Sequence, residues 1–370
     1  MLNYVTSYGP SATWVIDANE ASPNGNKTIL QVPRNARFSE PTRTSSINGS
    51  TKSDPVTRIT GIIRGNMSFY YGVRGAIAGA LLYGGFLAVC SGSEVRVGTC
   101  QFPISADIAS NGAWIQKQMA EAQALGADIV HFPEGALSGY AGADRKSLDD
   151  FPWDQQREEL EKILAVARRL HVWVILGGTH RLSGDHKPHN SLYVIDPNGA
   201  IVDRYDKRFC TTTDLKYYSP GDHFVTFDVN GVHCGLLICY DSRFPELYRQ
   251  YSKQGVQLIL QSFHNVGPDE GSILGKIIPP TMQAYAAANA MFISMCNSST
   301  PHSWESRFIT PDGLVERALA PDQPGVMINV VDTAKSYYDA SGPFRADAIN
   351  GKLNSGEIVS DPRSSDRKSY

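Results

Sequence analysis

Three things are scarce in this sequence, and each scarcity removes a class of protein. Basic charge comes first: 34 Lys and Arg stand against 37 Asp and Glu, a formal net charge of -3. With no surplus to neutralise phosphates, nucleic acid is not expected as a partner. Cysteine comes second. The six cysteines, at positions 90, 100, 210, 234, 239 and 296, form no CxxC pair, which fits neither a disulfide-dense secreted scaffold nor a zinc ribbon. Reduced thiols in a cytoplasm suit that pattern. His186 and His189 in "HKPHN" lie three apart, but in a stretch rich in Gly, Asp and Pro that reads as a loop, so no metal is assigned. Long apolar runs are the third scarcity. The run from Ala76 to Cys90 is shorter than the ~20 residues of a membrane-spanning helix.

What is present is a large stock of core-forming residues, 42% hydrophobic over 370 positions, which is too much for a mainly disordered chain. Residues 1–93 stand apart as a polar, Ser/Thr/Asn-rich leader without sustained periodicity. Within it, the apolar segment 67–90 has the layout of an export signal, which requires initiation further downstream; a start assigned too far upstream explains the leader equally well. Residues 94–334 alternate strand and helix patterns. "VRVGTCQF" and "ADIVHF" read as buried strands around the helical "NGAWIQKQMAEAQALG". "DQQREELEKILAVARRL" is an amphipathic helix, "SLYVIDPNGAIVDRY" and "HFVTFDVNGVHCGLLIC" are hairpins, and "PPTMQAYAAANA" is a later helix. This is an α/β pattern of mixed sheets covered by helices. Residues 335–370 turn polar again and read as an arm or tail.

Ligands in open α/β sheets gather at the carboxyl ends of strands. Three chemically apt side chains follow apolar runs there: Glu134 after "ADIVHFP", Lys207 after "AIVDRYD" and Cys239 after "CGLLI". A thiol attacking a carbonyl or nitrile carbon needs a base for its proton and a cation or donors for the developing negative charge. A carboxylate, an ammonium and a sulfur fill those roles without a histidine. Singly, each has a bland explanation as a loop carboxylate, a surface cation or a buried core thiol.

The flanking residues sharpen the choice. "FPEGALSGY", "DKRF" and "GLLICYDSRFPELYR" resemble, in order, the three catalytic blocks of the nitrilase superfamily of carbon-nitrogen hydrolases. The resemblance runs from about Val95 to Asp332 and includes "YYSPGD" and "MQAYAAANAMFIS". It implies a four-layer sandwich, αββα per protomer, paired αββα-αββα in a homodimer. It implies Glu134 as general base and acid, Cys239 as nucleophile through a thioester, and Lys207 with the Tyr240 backbone N–H holding the oxyanion, without any cofactor. The family's second glutamate falls on Asp214, one methylene shorter. Asp241, Arg243 and Glu246 match the family's polar set and are expected to pair so as to fix the cysteine turn. "Cys-Tyr-Asp" is similar to amidase-type members, so a small linear amide is the expected substrate.

Tyr140, Phe209 and His264 are pocket candidates by position alone. Competing readings are a nitrilase or N-carbamoyl hydrolase, a non-catalytic binding member, and a Cys-His hydrolase using His131, His180 or His264.

Overall fold

A computed structural model describes residues 93–265 and 272–370. The expected leader, including the segment 67–90, therefore lies outside the described residues apart from Ser93. Along the chain come β1 (Glu94–Gln101), α1 (Ile108–Ala124), β2 (Ile129–His131), α2 (Trp153–Leu170), β3 (Trp173–His180), β4 (His189–Ile195) and β5 (Ile201–Asp206). Next are β6 (Thr226–Val229), β7 (Val232–Ile238), α3 (Pro245–Lys253), β8 (Leu258–Ser262), α4 (Ile273–Asn289) and β9 (Phe292–Cys296). The chain closes with β10 (Arg307–Ile309), β11 (Val315–Ala318), β12 (Gly325–Asp332), α5 (Gly342–Ile349) and α6 (Pro362–Ser365).

Local chemistry explains these boundaries. Asp107 caps α1 by accepting from the amides of Ala109 and Ser110. In α2, Asp154 sits in the first turn and Arg168 and Arg169 in the last, each sign at the favourable end of the helix dipole. Asn230 and Gly231, with φ of 48° and 81°, supply the left-handed pair that a two-residue hairpin between β6 and β7 requires.

The strands form two six-stranded sheets, ordered β12-β1-β2-β3-β4-β5 and β11-β10-β9-β8-β7-β6. At the heart of each lie three parallel strands, β1-β2-β3 and β7-β8-β9, flanked by antiparallel ones. Alternation divides each sheet's side chains between two faces. Val97, Ile129, Ile175 and Leu192 of the first sheet join Cys234, Leu236, Ile238 and Leu260 of the second in one core. Val130, Val174, Leu176 and Tyr193, on the opposite face, pack with Ile115 and Met119 of α1 and Ile163 and Val166 of α2. Tyr248 and Tyr251 of α3 and Met282 and Ala286 of α4 belong to the core that covers the second sheet. The expected αββα layering is therefore present in the single chain.

Between the sheets runs a polar strip. His131 on β2 bonds Ser294 Oγ through Nδ1 and Ser262 Oγ through Nε2, both at 2.9 Å, and Ser294 also meets Thr99 Oγ1 at 2.8 Å. Burial lowers the His131 pKa to about 3, so the ring is a neutral linker between sheets.

One helix differs from expectation. α4 starts at Ile273, with Pro279 and Pro280 inside it, whereas the sequence pattern places the prolines at its start. Proline removes the bond to the carbonyl four residues earlier. Those carbonyls belong to Gly275 and Lys276, which are exposed, so water can satisfy them. At the C-terminus neither α5 nor α6 buries a residue. Arg345 ties α5 to the Ala288 carbonyl at the end of α4.

Candidate active site

Loops leaving both sheets converge on one centre. The first sheet contributes Glu134, three residues beyond β2, and Lys207, directly after β5; the second contributes Cys239, directly after β7, and His264, two residues beyond β8. The loop holding Glu134 lies close against β3 because residue 177 is glycine: a Cβ there would stand 2.2 Å from the Pro133 carbonyl oxygen and 2.7 Å from the Gly135 nitrogen.

Glu134 and Lys207 are fully buried and joined at 2.9 Å through Oε1 and Nζ. The same oxygen accepts from Asn190 Nδ2 at 2.7 Å, and Oε2 accepts the backbone N–H of His264 at 3.0 Å. Lys207 has a second carboxylate, Asp214 Oδ2 at 2.8 Å. Tyr140 donates its hydroxyl to Asp214 Oδ1 and accepts from Lys207 at 3.3 Å. The shorter aspartate thus reaches the lysine directly. A 3-10 turn at Asp214–Lys216, with Oδ2 also taking the Thr211 N–H at 2.9 Å, brings it in.

Burial alone lowers the Lys207 pKa, but Glu134 first, then Cys239, Tyr140 and Asp214, outweigh it and hold the ammonium well above its ordinary value. For Asp214 burial acts upward, and the charge and hydrogen bond of Lys207 prevail, keeping it below the usual carboxylate range. The Cys239 thiol is pushed well up by burial, then by the Glu134 carboxylate, with Lys207 pulling the other way. It rests as a thiol beside a carboxylate able to accept its proton. Cys239 retains accessible surface, unlike Glu134 and Lys207.

Cys239 has φ 40°, in the left-handed region, where a non-glycine residue costs on the order of 1–3 kcal/mol. Asp241 holds that turn. It is fully buried; Oδ2 accepts from Ile238 N at 3.1 Å and the Tyr205 hydroxyl at 2.8 Å, and Oδ1 accepts from Phe209 N at 2.8 Å. One carboxylate therefore links the cysteine turn to the lysine loop. Cys239–Arg243 is a 3-10 turn, whose first N–H groups, Tyr240 included, have no partner within the turn.

The expected pairing among Asp241, Arg243 and Glu246 is not what the structure contains. Arg243 and Glu246 are exposed, and neither enters an ion pair among the described residues. On a 3-10 turn positions two apart face different ways, so Arg243 points away from the buried Asp241. Glu246 sits instead in the first turn of α3, where its charge favours the helix dipole.

Of the pocket candidates, Tyr140 is in the centre. Phe209 stacks on Phe244 with centroids 3.5 Å apart and is partly exposed. His264 contributes its backbone rather than its ring: Nδ1 meets Ser298 Oγ and Nε2 meets Asp144 Oδ2, each at 2.8 Å. Both nitrogens of His131 are engaged as well, and those of His180 meet Tyr193 and Arg204. None of the three is a free base for Cys239. Asn190, Asp144 and Ser298 are additions that the sequence alone does not single out. Asn190 carries one signal, a residue of low strand propensity in the polar opening of a strand, His189-Asn190-Ser191, that is apolar only from Leu192 onward.

A sequence profile described as carbon-nitrogen hydrolase matches residues 96–337. The chain belongs to the carbon-nitrogen hydrolase family. It is accordingly an enzyme of the nitrilase superfamily that hydrolyses carbon-nitrogen bonds. This carbon-nitrogen hydrolase is 31% identical over 170 residues to an (R)-stereoselective amidase of a Pseudomonas species, across 46% of this chain and 58% of that one. It is 28% identical to the omega-amidase NIT2 of Homo sapiens, across 57% of this chain and 82% of the relative. Among solved structures, a cysteine-to-alanine mutant of a nitrilase-superfamily amidase from Nesterenkonia superposes with a TM-score of 0.59 at 21% identity. That match covers 71% of this chain and 98% of the other; it bears on the fold.

Proposed function

We propose that the enzyme hydrolyses a small linear amide through a thioester on Cys239. Supporting this reading most directly is the contact set of Glu134, a buried carboxylate bonded to Lys207 at 2.9 Å and standing beside the Cys239 thiol. Glu134 takes the thiol proton as sulfur attacks the amide carbon. The carbonyl oxygen becomes an oxyanion, held by the Lys207 ammonium and the Tyr240 N–H. Collapse expels ammonia or an amine, which receives its proton from Glu134, and leaves the thioester. Water, deprotonated by Glu134, attacks the acyl carbon; the acid departs and the thiol regains its proton. Asp214 and Tyr140 steady the ammonium during both halves. The scheme uses no metal and no cofactor.

Amides are favoured over nitriles and carbamoyl compounds by the "Cys-Tyr-Asp" sequence and by relatives such as the omega-amidases. A similar Nesterenkonia amidase was solved with butyramide, which makes short aliphatic amides sensible first substrates. Ammonia release from butyramide, a matched nitrile and a carbamoyl amino acid, with intact-protein mass after a brief pulse, tests the reading. The expected result is ammonia from the amide and a transient acyl adduct on residue 239, both lost in Cys239→Ala; undiminished amide hydrolysis by that variant would overturn it.

Two coarser readings accompany this one. Homodimer formation rests on the family resemblance, and analytical ultracentrifugation decides it. Cytoplasmic residence rests on the free thiols, five among the described residues. No helix among those residues is long and apolar enough to cross a membrane. N-terminal sequencing of the native protein would distinguish an intact leader from one removed near residue 90, as an exported protein would require.

A further inference from the structure

A further carboxylate, Asp144, stands behind the centre and touches both of its halves. Its Oδ2 accepts the Tyr140 backbone N–H at 2.8 Å and meets His264 Nε2 at the same distance. Tyr140 in turn donates to Asp214, the partner of Lys207. On the other side, His264 presents its backbone N–H to Glu134 Oε2 at 3.0 Å. The His264 ring cannot turn freely: it is buried, with Ser298 Oγ at 2.8 Å from Nδ1 and Asp144 on Nε2. Nothing in the chemistry proposed above uses Asp144, His264 or Ser298. Structural economy does not explain them either, since an apolar residue at 264 could fill the same space without needing two buried polar partners.

We propose that Asp144 and His264 are positioning residues: together they aim the amide that fixes Glu134 and the tyrosine that fixes Asp214, so that base and ammonium are aligned on Cys239 at once. The proposal rests on the reading of Glu134, Lys207 and Cys239 as the reacting set. Its physical content is orientation. Ser298 anchors the ring to the loop after β9, Asp144 anchors it to the loop after β2, and the backbone between them has one direction left for its N–H. Releasing either anchor lets that N–H swing away from Oε2. A displacement of about 1 Å in a reacting group can cost on the order of 10²-fold in rate.

Three variants of the full-length protein test this: Asp144→Ala, Asp144→Asn and Ser298→Ala. Two rates are read at fixed pH, kcat with KM on butyramide and the second-order rate of Cys239 alkylation by iodoacetamide, alongside Tm. Asp144→Ala should lower kcat by about 10²-fold with KM within about threefold, slow alkylation in parallel, and leave a cooperative melt. Asp144→Asn, whose amide oxygen can still accept both N–H donors, should recover most of the loss. Ser298→Ala, loosening the ring from the opposite side, should fall between the two and answers the question if Asp144→Ala does not fold. A wild-type kcat and alkylation rate in Asp144→Ala or Ser298→Ala, with only Tm lowered, would overturn the proposal, as would a change confined to KM. If the wild-type protein cleaves no amide, the proposed reaction fails separately, and the alkylation rates by themselves still show whether Asp144 and Ser298 position the centre.

Discussion

Lys207 is the residue on which the electrostatics of the centre turn. It lies with no accessible surface between two carboxylates at 2.9 Å and 2.8 Å, so removing it does more than remove an oxyanion donor. Lys207→Met should cut kcat by about 10²–10³-fold and, by stranding Glu134 and Asp214, cost roughly 3–5 kcal/mol of stability; urea denaturation followed by fluorescence measures the second. Asp214→Asn should act more gently. Because Asp214 raises both Lys207 and Cys239, its neutralisation lowers both. The alkaline limb of kcat/KM should move to lower pH, and iodoacetamide should modify Cys239 faster at pH 8. An unchanged limb would show that Asp214 is not coupled to the lysine in solution. At this scale the sequence singled out Glu134, Lys207 and Cys239, which the fold brings together, because reactive side chains directly after apolar runs are not explained by core packing. It was silent on Asp144 and Ser298, whose meaning depends on which loops meet, and misleading on Arg243, where a charge near the nucleophile turned out to face solvent.

Among the local elements, the cysteine turn is where backbone and side chain depend most on each other. Asp241 satisfies two amides and one hydroxyl that belong to three separate stretches of chain. Its own burial raises its pKa from 3.8 to about 6 despite those bonds. The folded form therefore holds a proton that the unfolded chain releases earlier, and stability from this group is full below about pH 4 and lost as pH rises through about 6. Asp241→Asn, which cannot titrate, should be destabilised by about 1–3 kcal/mol through a donor left unpaired. The gap in Tm between it and the wild type should shrink from pH 4 to pH 7; a constant gap would refute the shifted carboxyl. Elements were legible where periodicity and turn chemistry agreed, as in the α2 pattern and the Asn230-Gly231 hairpin. The start of α4 was not, because two prolines mark a helix start in most contexts and only solvent exposure of the preceding turn permits the helix to run through them.

Across the whole molecule, the αββα layering was readable from strand and helix alternation together with the family blocks, while the polar strip between the sheets was not. His131 looks like any residue of a buried strand until Ser262, Ser294 and Thr99 from three other strands surround it. Its pKa of about 3 in the fold, against 6.5 unfolded, means that stability from the neutral ring is complete above about pH 6.5 and lost as pH falls towards 3. The slope it can impose is about 1.4 kcal/mol per pH unit at most. A His131→Asn variant should show a flatter urea midpoint than the wild type between pH 4 and pH 6; parallel curves would rule out the buried imidazole as a source of acid lability.

The two sheets divide the chemistry between them: base and ammonium arrive from one, sulfur from the other. Their mutual registration is thus an alignment requirement as well as a packing one. Any substitution that lets one sheet slip by a fraction of an ångström, however remote from the sulfur, detunes the reaction before it melts the protein. Thinning a side chain such as Leu260 in the shared core should therefore be felt in turnover at temperatures where the fold is still intact.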